Sequence, residues 1–394
     1  MTDTVQPAKE MKIDPTLARR IQEELGQNVY LCYQCVKCTS GCPVGEYFDW
    51  QPNQIMRAVQ LGQEDIALES KTPWLCASCQ TCTTRCPQGL DITAIMEFLT
   101  REALARGFKP SVYEVDAFNK AFMREVNLWG RSYELGLMAE MKLRTLRTRN
   151  LMDDMDLGVK VIRKNKLPFL PTRARPPRKV KPVPGAKKAI AYYPGCSLHS
   201  TSKEYNVSTQ AVCKALDMKL IEPEGWLCCG SSAAHRADPE AALRLPLENL
   251  SIIEQSGFDE VTMPCAACFS RHKAAQYEIH HDEGRRSEMA HKIGYDYQDS
   301  VRVSSLGEAI FRRVGPQEVA ARVKQPLNGL KLVCYYGCLL TRPSQITQAS
   351  HPENPTEMDA LMAALGAEVI DWSYKTTCCG AAHSLTRADI VLDL

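Results

Sequence analysis

Along the first hundred residues apolar positions recur three and four apart, the spacing of one helix face. The spacing predicts helices over Leu17–Leu25, Pro52–Leu61 and Ile92–Ala105. Asp14 is placed to cap the first, Pro15 stands at its first position, and Gly26 stops it. Residues 108–160 keep a helical pattern, and Tyr133–Leu146 is rich in strong helix formers. Between Lys164 and Lys188 the pattern is lost. Pro168, Pro171, Pro176, Pro177, Pro182 and Pro184 stand there among many Lys and Arg residues, which predicts an extended, solvated linker. Short apolar runs then alternate with helical stretches, and Ala189–Tyr193, Lys219–Ile221, Glu260–Met263, Lys331–Tyr336 and Glu368–Ile370 read as buried parallel strands.

The strand-bearing half repeats itself. Tyr193-Pro-Gly-Cys-Ser-Leu198 stands beside Tyr336-Gly-Cys-Leu-Leu340, and Leu227-Cys-Cys-Gly230 with His235 beside Thr377-Cys-Cys-Gly380 with His383. The offset is 142 to 150 residues, so one α/β domain is duplicated.

Charge removes one class of function. Across 394 residues, 48 Lys and Arg nearly balance 46 Asp and Glu, which argues against a surface built to neutralise nucleic-acid phosphates. No run of 18 apolar residues encodes a membrane span, and Met1–Lys12 lacks the apolar stretch of a secretory signal. A cytoplasmic location is therefore expected. In that reducing compartment eighteen cysteines are metal ligands rather than a disulfide framework.

Cys32, Cys35, Cys38 and Cys42-Pro43 follow C-x2-C-x2-C-x3-C-P, and Cys76, Cys79, Cys82 and Cys86-Pro87 repeat it. This is the run of bacterial ferredoxins, in which three thiolates on one loop hold one [4Fe–4S] cluster and the fourth cysteine reaches the other. Cluster one is expected on Cys32, Cys35, Cys38 and Cys86, and cluster two on Cys76, Cys79, Cys82 and Cys42. Zinc also uses C-x2-C pairs, but it does not need a third spaced cysteine followed by Cys-Pro. Paired clusters conduct single electrons.

A second set of cysteines lies in the α/β half. Cys196, Cys228-Cys229 and Cys265-Ala-Ala-Cys268 each follow a predicted strand, and ligands in open α/β sheets collect at the carboxyl ends of strands. Five thiolates exceed the four a cubane needs, so one must bridge irons or the cluster must be non-cubane. Gly230 permits the sharp turn that lets adjacent cysteines face one site. Cys213 and Cys334 are expected to be packed rather than ligating. His199, His235 and His383 lie close in sequence to these cysteines and are candidates to hydrogen-bond cluster sulfur or protonate a thiolate.

The spacing Cys196-x31-Cys228-Cys229-x35-Cys265-x2-Cys268 resembles the motif of the catalytic, B-type subunit of heterodisulfide reductase. The region of Cys32–Pro43 and Cys76–Pro87 resembles the electron-feeding, C-type subunit of the same enzyme. Over nearly its full length the chain is thus similar to a fusion of the C-type and B-type modules. The resemblance implies that Cys196, Cys228, Cys229, Cys265 and Cys268 hold a non-cubane [4Fe–4S] cluster and form the catalytic set. It also implies that two such clusters face each other and cleave a disulfide in one-electron steps. Cys338, Cys378 and Cys379 match the beginning of the second motif. Its closing C-x2-C would fall some 35 residues after Cys379, while Leu394 is 15 residues on. Truncation, ligands from another polypeptide, or degeneracy would each explain this, and a second non-cubane cluster is expected only in the first two cases.

The expected fold is α+β and multi-domain. A helical domain with two [4Fe–4S] clusters (1–107) precedes a helical extension (108–163), the linker (164–188), one cysteine-rich α/β domain (189–325) and an incomplete second (326–394). With no Gly-x-Gly-x-x-Gly flavin fingerprint, two-electron chemistry is expected in a partner. That partner is either a flavoprotein like the A-type subunit of heterodisulfide reductase, supporting bifurcation, or a cytochrome b-type membrane protein, with a disulfide or small redox molecule as substrate. The alternative is a pure electron-transfer role, similar to that of the iron–sulfur proteins of glycerol-3-phosphate, glycolate or lactate oxidation or of aromatic-CoA reduction.

Overall fold

The computed structural model describes residues 15–146, 163, 164, 166, 168 and 170–394. The chain forms two compact units, Met1–Val115 with Gly380–Leu394, and Asp116–Cys379.

The first unit is helical. Its three principal helices are Thr16–Leu25, Pro52–Gln60 and Ile92–Ala105. Gly26 takes the left-handed conformation that ends the first, while Asp14 lies outside the described residues. The third begins where the Asp91 carboxylate accepts from the Ala94 N–H at 2.9 Å. Leu17, Ile21, Ile55, Met56, Ile95 and Leu99 join the three helices into one core. A second small core gathers Trp74, Leu75, Val112 and Val115 around Ile390, from the chain's last turn. His383 is fully buried in the same unit, its Nε2 2.9 Å from the Leu75 carbonyl. Gly380–Leu394 therefore joins the first unit, although it directly follows the second Cys-Cys pair.

The second unit carries the strands. β1 (Ile190–Tyr192), β2 (Leu220–Ile221), β3 (Glu260–Met263) and β4 (Arg302–Ser305) form a parallel sheet in the order β2-β1-β3-β4. β5 (Lys331–Leu332) and β6 (Glu368–Val369) form a separate parallel pair. β4 is absent from the sequence-based expectation because Arg302, Ser304 and Ser305 break the apolar run. β5 is shorter than the Lys331–Tyr336 expectation because the N–H groups of Tyr336 and Gly337 turn to the Lys375 carbonyl, at 2.8 and 3.0 Å.

Two further helices, Tyr113–Trp129 and Glu134–Thr145, form a hairpin. From Ala117 onward its apolar face, including Phe122, Val126 and Leu137, packs on Leu227, Cys228, Ala233 and Ala234. The proline-rich segment is not a free linker where it is described. The Ala174 N–H donates to Trp129 O at 2.7 Å and the Val183 N–H to Ser256 O at 2.9 Å, which fasten it along the second unit.

Candidate iron–sulfur sites

The twin cysteine loops of the first unit share an unusual backbone. Gln34 and Val36 in one, and Ser78 and Gln80 in the other, hold positive φ angles of 61°, 65°, 51° and 62° at corresponding positions. A β-branched residue such as Val36 takes this conformation only where its surroundings impose it. Successive N–H groups in such turns converge into a concavity suited to an anion, as around iron–sulfur clusters. In the second loop, Cys76, Cys79 and Cys82 line one cavity together with Cys42 from the first loop. Burial first, and then the neighbouring Cys76, push the Cys42 and Cys82 thiols far upward. Thiols in that state release their protons to solvent when a metal ion binds the sulfur, and four of them around one cavity fit an iron–sulfur group. In the first loop, Cys38 lies near Cys32, and Tyr33 faces both Cys35 and Cys86. Cys42 thus joins Cys76, Cys79 and Cys82 around one cavity, while in the first loop the neighbours are Cys38 with Cys32, and Cys35 and Cys86 beside Tyr33.

The five cysteines of the α/β half meet at the carboxyl ends of β1, β2 and β3. Cys196 follows β1, Cys228 and Cys229 lie in the loop after β2, and Cys265 and Cys268 open the Ala266–His281 helix after β3. Their thiols form a continuous chain. Cys228 contacts both Cys196 and Cys229, Cys229 lies 3.5 Å from Cys268, and Cys268 contacts Cys265. The Ser231 N–H points at Cys229 Sγ from 3.4 Å. Hydrogen bonds to Cys196 and Cys229, followed by burial, hold Cys228 well above the ordinary thiol range. Two glycines make the assembly possible. A Cβ on Gly195 (φ 75°) would stand 3.0 Å from Cys268 Sγ, and one on Gly230 (φ 83°) 2.6 Å from the Ala234 Cβ.

Residues that the motif does not reveal hold this site in shape. The Tyr193 hydroxyl donates to Leu227 O at 2.6 Å. Asn249 accepts from the Leu227 N–H at 2.7 Å and donates back to Leu227 O at 3.0 Å, so the residue before Cys228 is gripped on both sides. His272 is fully buried, with Nδ1 2.8 Å from Cys268 O and Nε2 3.4 Å from the Asn249 amide. Burial lowers its pKa, so it is a neutral ring that orients Asn249. Its position one helical turn after Cys268 was the available sequence signal.

In the second cysteine-rich region, the Tyr335 hydroxyl donates to Thr377 O at 2.5 Å, just before Cys378. It thereby reproduces the bond from Tyr193, and the counterpart of Tyr193 is Tyr335 rather than Tyr336. Cys379, Cys338 and Cys378 lie around this tyrosine. Among the histidines, His199 is engaged by Glu222 at 3.1 Å, His235 sits on the Ser231–Ala237 helix, and His383 belongs to the first unit. Cys213 and Cys334 are buried away from these groups, and burial raises each to about 11.

Residues 31–91 match the family described as a 4Fe-4S dicluster domain, and residues 190–271 and 332–392 match that described as a cysteine-rich domain. Fold and sites together define an iron–sulfur protein with a ferredoxin-type module and two cysteine-rich regions. The 8-methylmenaquinol:fumarate reductase membrane anchor subunit of Wolinella succinogenes is 34% identical over 197 residues, 49% of this chain and 68% of that one. The B-type subunit of the Ferredoxin/F(420)H(2)-dependent CoB-CoM heterodisulfide reductase of Methanosarcina acetivorans is 26% identical over 196 residues, 49% of this chain and 65% of that one. The C-type subunit of the H(2):CoB-CoM heterodisulfide,ferredoxin reductase of Methanothermobacter marburgensis is 31% identical over 96 residues, 24% of this chain and 52% of that one. The chain spans about two thirds of the length of its B-type relative and half of its C-type relative. It belongs to the heterodisulfide reductase-like iron–sulfur proteins, joining a C-type module to a B-type one.

Proposed function

We propose that this chain is the electron-transfer subunit of an oxidoreductase complex, with a redox site of its own at Cys196, Cys228, Cys229, Cys265 and Cys268. Cys32, Cys35, Cys38 and Cys86 would hold one [4Fe–4S] cluster, Cys76, Cys79, Cys82 and Cys42 a second, and the five cysteines a non-cubane one. Bound clusters supply one-electron transfer at potentials set by their surroundings. The observation that carries the reading is the unbroken chain of five thiols, one more than a cubane uses, three of them on buried residues. The residues around it bring the backbone close at Gly195 and Gly230 and fix Leu227 through Tyr193 and Asn249. Cys338, Cys378 and Cys379 contribute three ligands to a second such site. The reaction served is reduction of a disulfide or small redox partner, with a flavoprotein like the A-type subunit of heterodisulfide reductase as donor. In anaerobically purified protein, Cys229→Ser should remove one paramagnetic signal and leave the two ferredoxin-type signals intact. An unchanged spectrum refutes the reading.

The 34% identity to a fumarate reductase membrane anchor favours a second reading, a relay without substrate in a quinone-linked complex. Affinity purification separates the two. A flavoprotein partner supports the first, and a membrane cytochrome b supports the second.

A further inference from the structure

We propose that Arg131, carried by the helical hairpin outside the cysteine-rich domain, is a positioning residue that sets the reduction potential of the five-cysteine site. The inference rests on the reading that these cysteines hold a cluster. Arg131 lies in the turn between the Tyr113–Trp129 and Glu134–Thr145 helices, outside the 190–271 region matched to the cysteine-rich family. That turn is tied to the site at three points. The Cys228 N–H donates to Gly130 O at 2.8 Å, and Arg131 Nε donates to Trp226 O at 3.0 Å. The guanidinium lies over the Trp226 ring, 3.5 Å from its centroid. Gly130 cannot carry a side chain here, because with φ at 76° a Cβ would fall 2.3 Å from Ala174 O. The proline-rich segment therefore locks the turn from behind.

The cation is held in place and permanent. Trp226 is buried, and a guanidinium does not release its proton at any physiological pH. Its charge faces Cys196 and Cys228, the outer end of the thiol chain. One carboxylate opposes it. Glu222 accepts from Trp226 Nε1 at 2.7 Å and pairs with His199 at 3.1 Å, so Arg131 and Glu222 bracket the same indole. Each electron added to a cluster site adds negative charge. A fixed cation stabilises the reduced state and a fixed anion disfavours it, and net charge is one of the levers on cluster potential. Arg131 should raise the potential and Glu222 lower it.

The test is a paramagnetic redox titration of the full chain, anaerobically loaded with iron and sulfide, following the signal that Cys229→Ser removes. Arg131→Met is expected to weaken reduction about tenfold, equivalent to 59 mV lower for one electron. Arg131→Lys, which keeps the charge but not the flat stacking face, should fall between. Glu222→Gln should shift the potential upward, and the ferredoxin-type signals should keep theirs. Should Arg131→Met fail to take up iron, the upward shift in Glu222→Gln and the intermediate value of Arg131→Lys decide the matter. Shifts of one sign in both Arg131→Met and Glu222→Gln, or none beyond threefold, overturn the proposal while leaving the cluster intact. A wild-type chain with no signal dependent on Cys229 overturns the cluster reading, and this proposal with it.

Discussion

Asn249→Ala tests whether the Cys228–Cys229 loop is held by its neighbours or by its own turn. Asn249 is fully buried and grips both backbone groups of Leu227, accepting from the N–H at 2.7 Å and donating to the carbonyl at 3.0 Å. Truncation leaves the carbonyl with the Tyr193 hydroxyl, but it strands the N–H. An orphaned buried donor costs about 1–3 kcal/mol, and the small void left behind adds to it, so roughly 3 kcal/mol is expected in all. Tyr193→Phe removes only the second donor to Leu227 O, since Asn249 still donates there, and should cost about 1 kcal/mol. For a unit of this size each kcal/mol lowers the midpoint by about 2–4 °C. Calorimetry of the anaerobic protein should show the second unit melting roughly 6–12 °C lower in Asn249→Ala and about 2–4 °C lower in Tyr193→Phe. Iron per chain should fall in the former, because Leu227 precedes the Cys228–Cys229 pair proposed to hold it. Equal shifts for the two variants, or full iron in Asn249→Ala with an unchanged midpoint, would refute the reasoning.

Other outcomes follow from named contacts. Cys42→Ser should disturb the same paramagnetic signal as Cys76→Ser, while Cys86→Ser should disturb the one that Cys32→Ser disturbs. Cys213→Ala and Cys334→Ala should leave iron content unchanged. Burial alone would raise the Glu260 carboxyl, but hydrogen bonds from Arg312, Arg313 and Ser304 outweigh it and hold the group below its ordinary value. The stability from this depressed carboxyl is present above the unfolded value of about 4.3 and is lost as pH falls through the folded one. Glu260→Gln should therefore cost about 1–2 kcal/mol at pH 7, since both guanidiniums stay partly exposed, with the gap to wild type narrowing as pH falls below about 4, as denaturant titrations across pH would show.

Local patterns made much of this legible. The three long helices of the first unit could be read to within a residue or two, because apolar periodicity is strong in each and Pro15 and Gly26 mark the ends of the first. The cysteine spacings pointed to both kinds of site before any geometry was known. The rest was invisible for physical reasons. β4 is polar where it pairs, and the identity of β3 as its partner is a long-range fact. Asn249 and His272 are ordinary helix residues until folding sets Asn249 against Leu227 and His272 behind it. Arg131 lies 97 residues before Cys228 and shows no spacing to it. Tyr335 could have been read from the ungapped Tyr-x-Gly-Cys spacing it shares with Tyr193, and the carbonyl that its hydroxyl reaches shows the role.

The placement of Ile390 and His383 bears on how the protein is made. The ferredoxin-type unit is discontinuous, and its second core closes only when residues from the far end reach Trp74 and Leu75. A ribosome delivers the eight cysteines of the twin loops long before that later piece. The twin cysteine loops thus belong to a unit whose second core waits for residues made some 300 positions later, at the loop-closure cost of that span. Insertion of iron and sulfide into the nascent chain can proceed while that second core is still open.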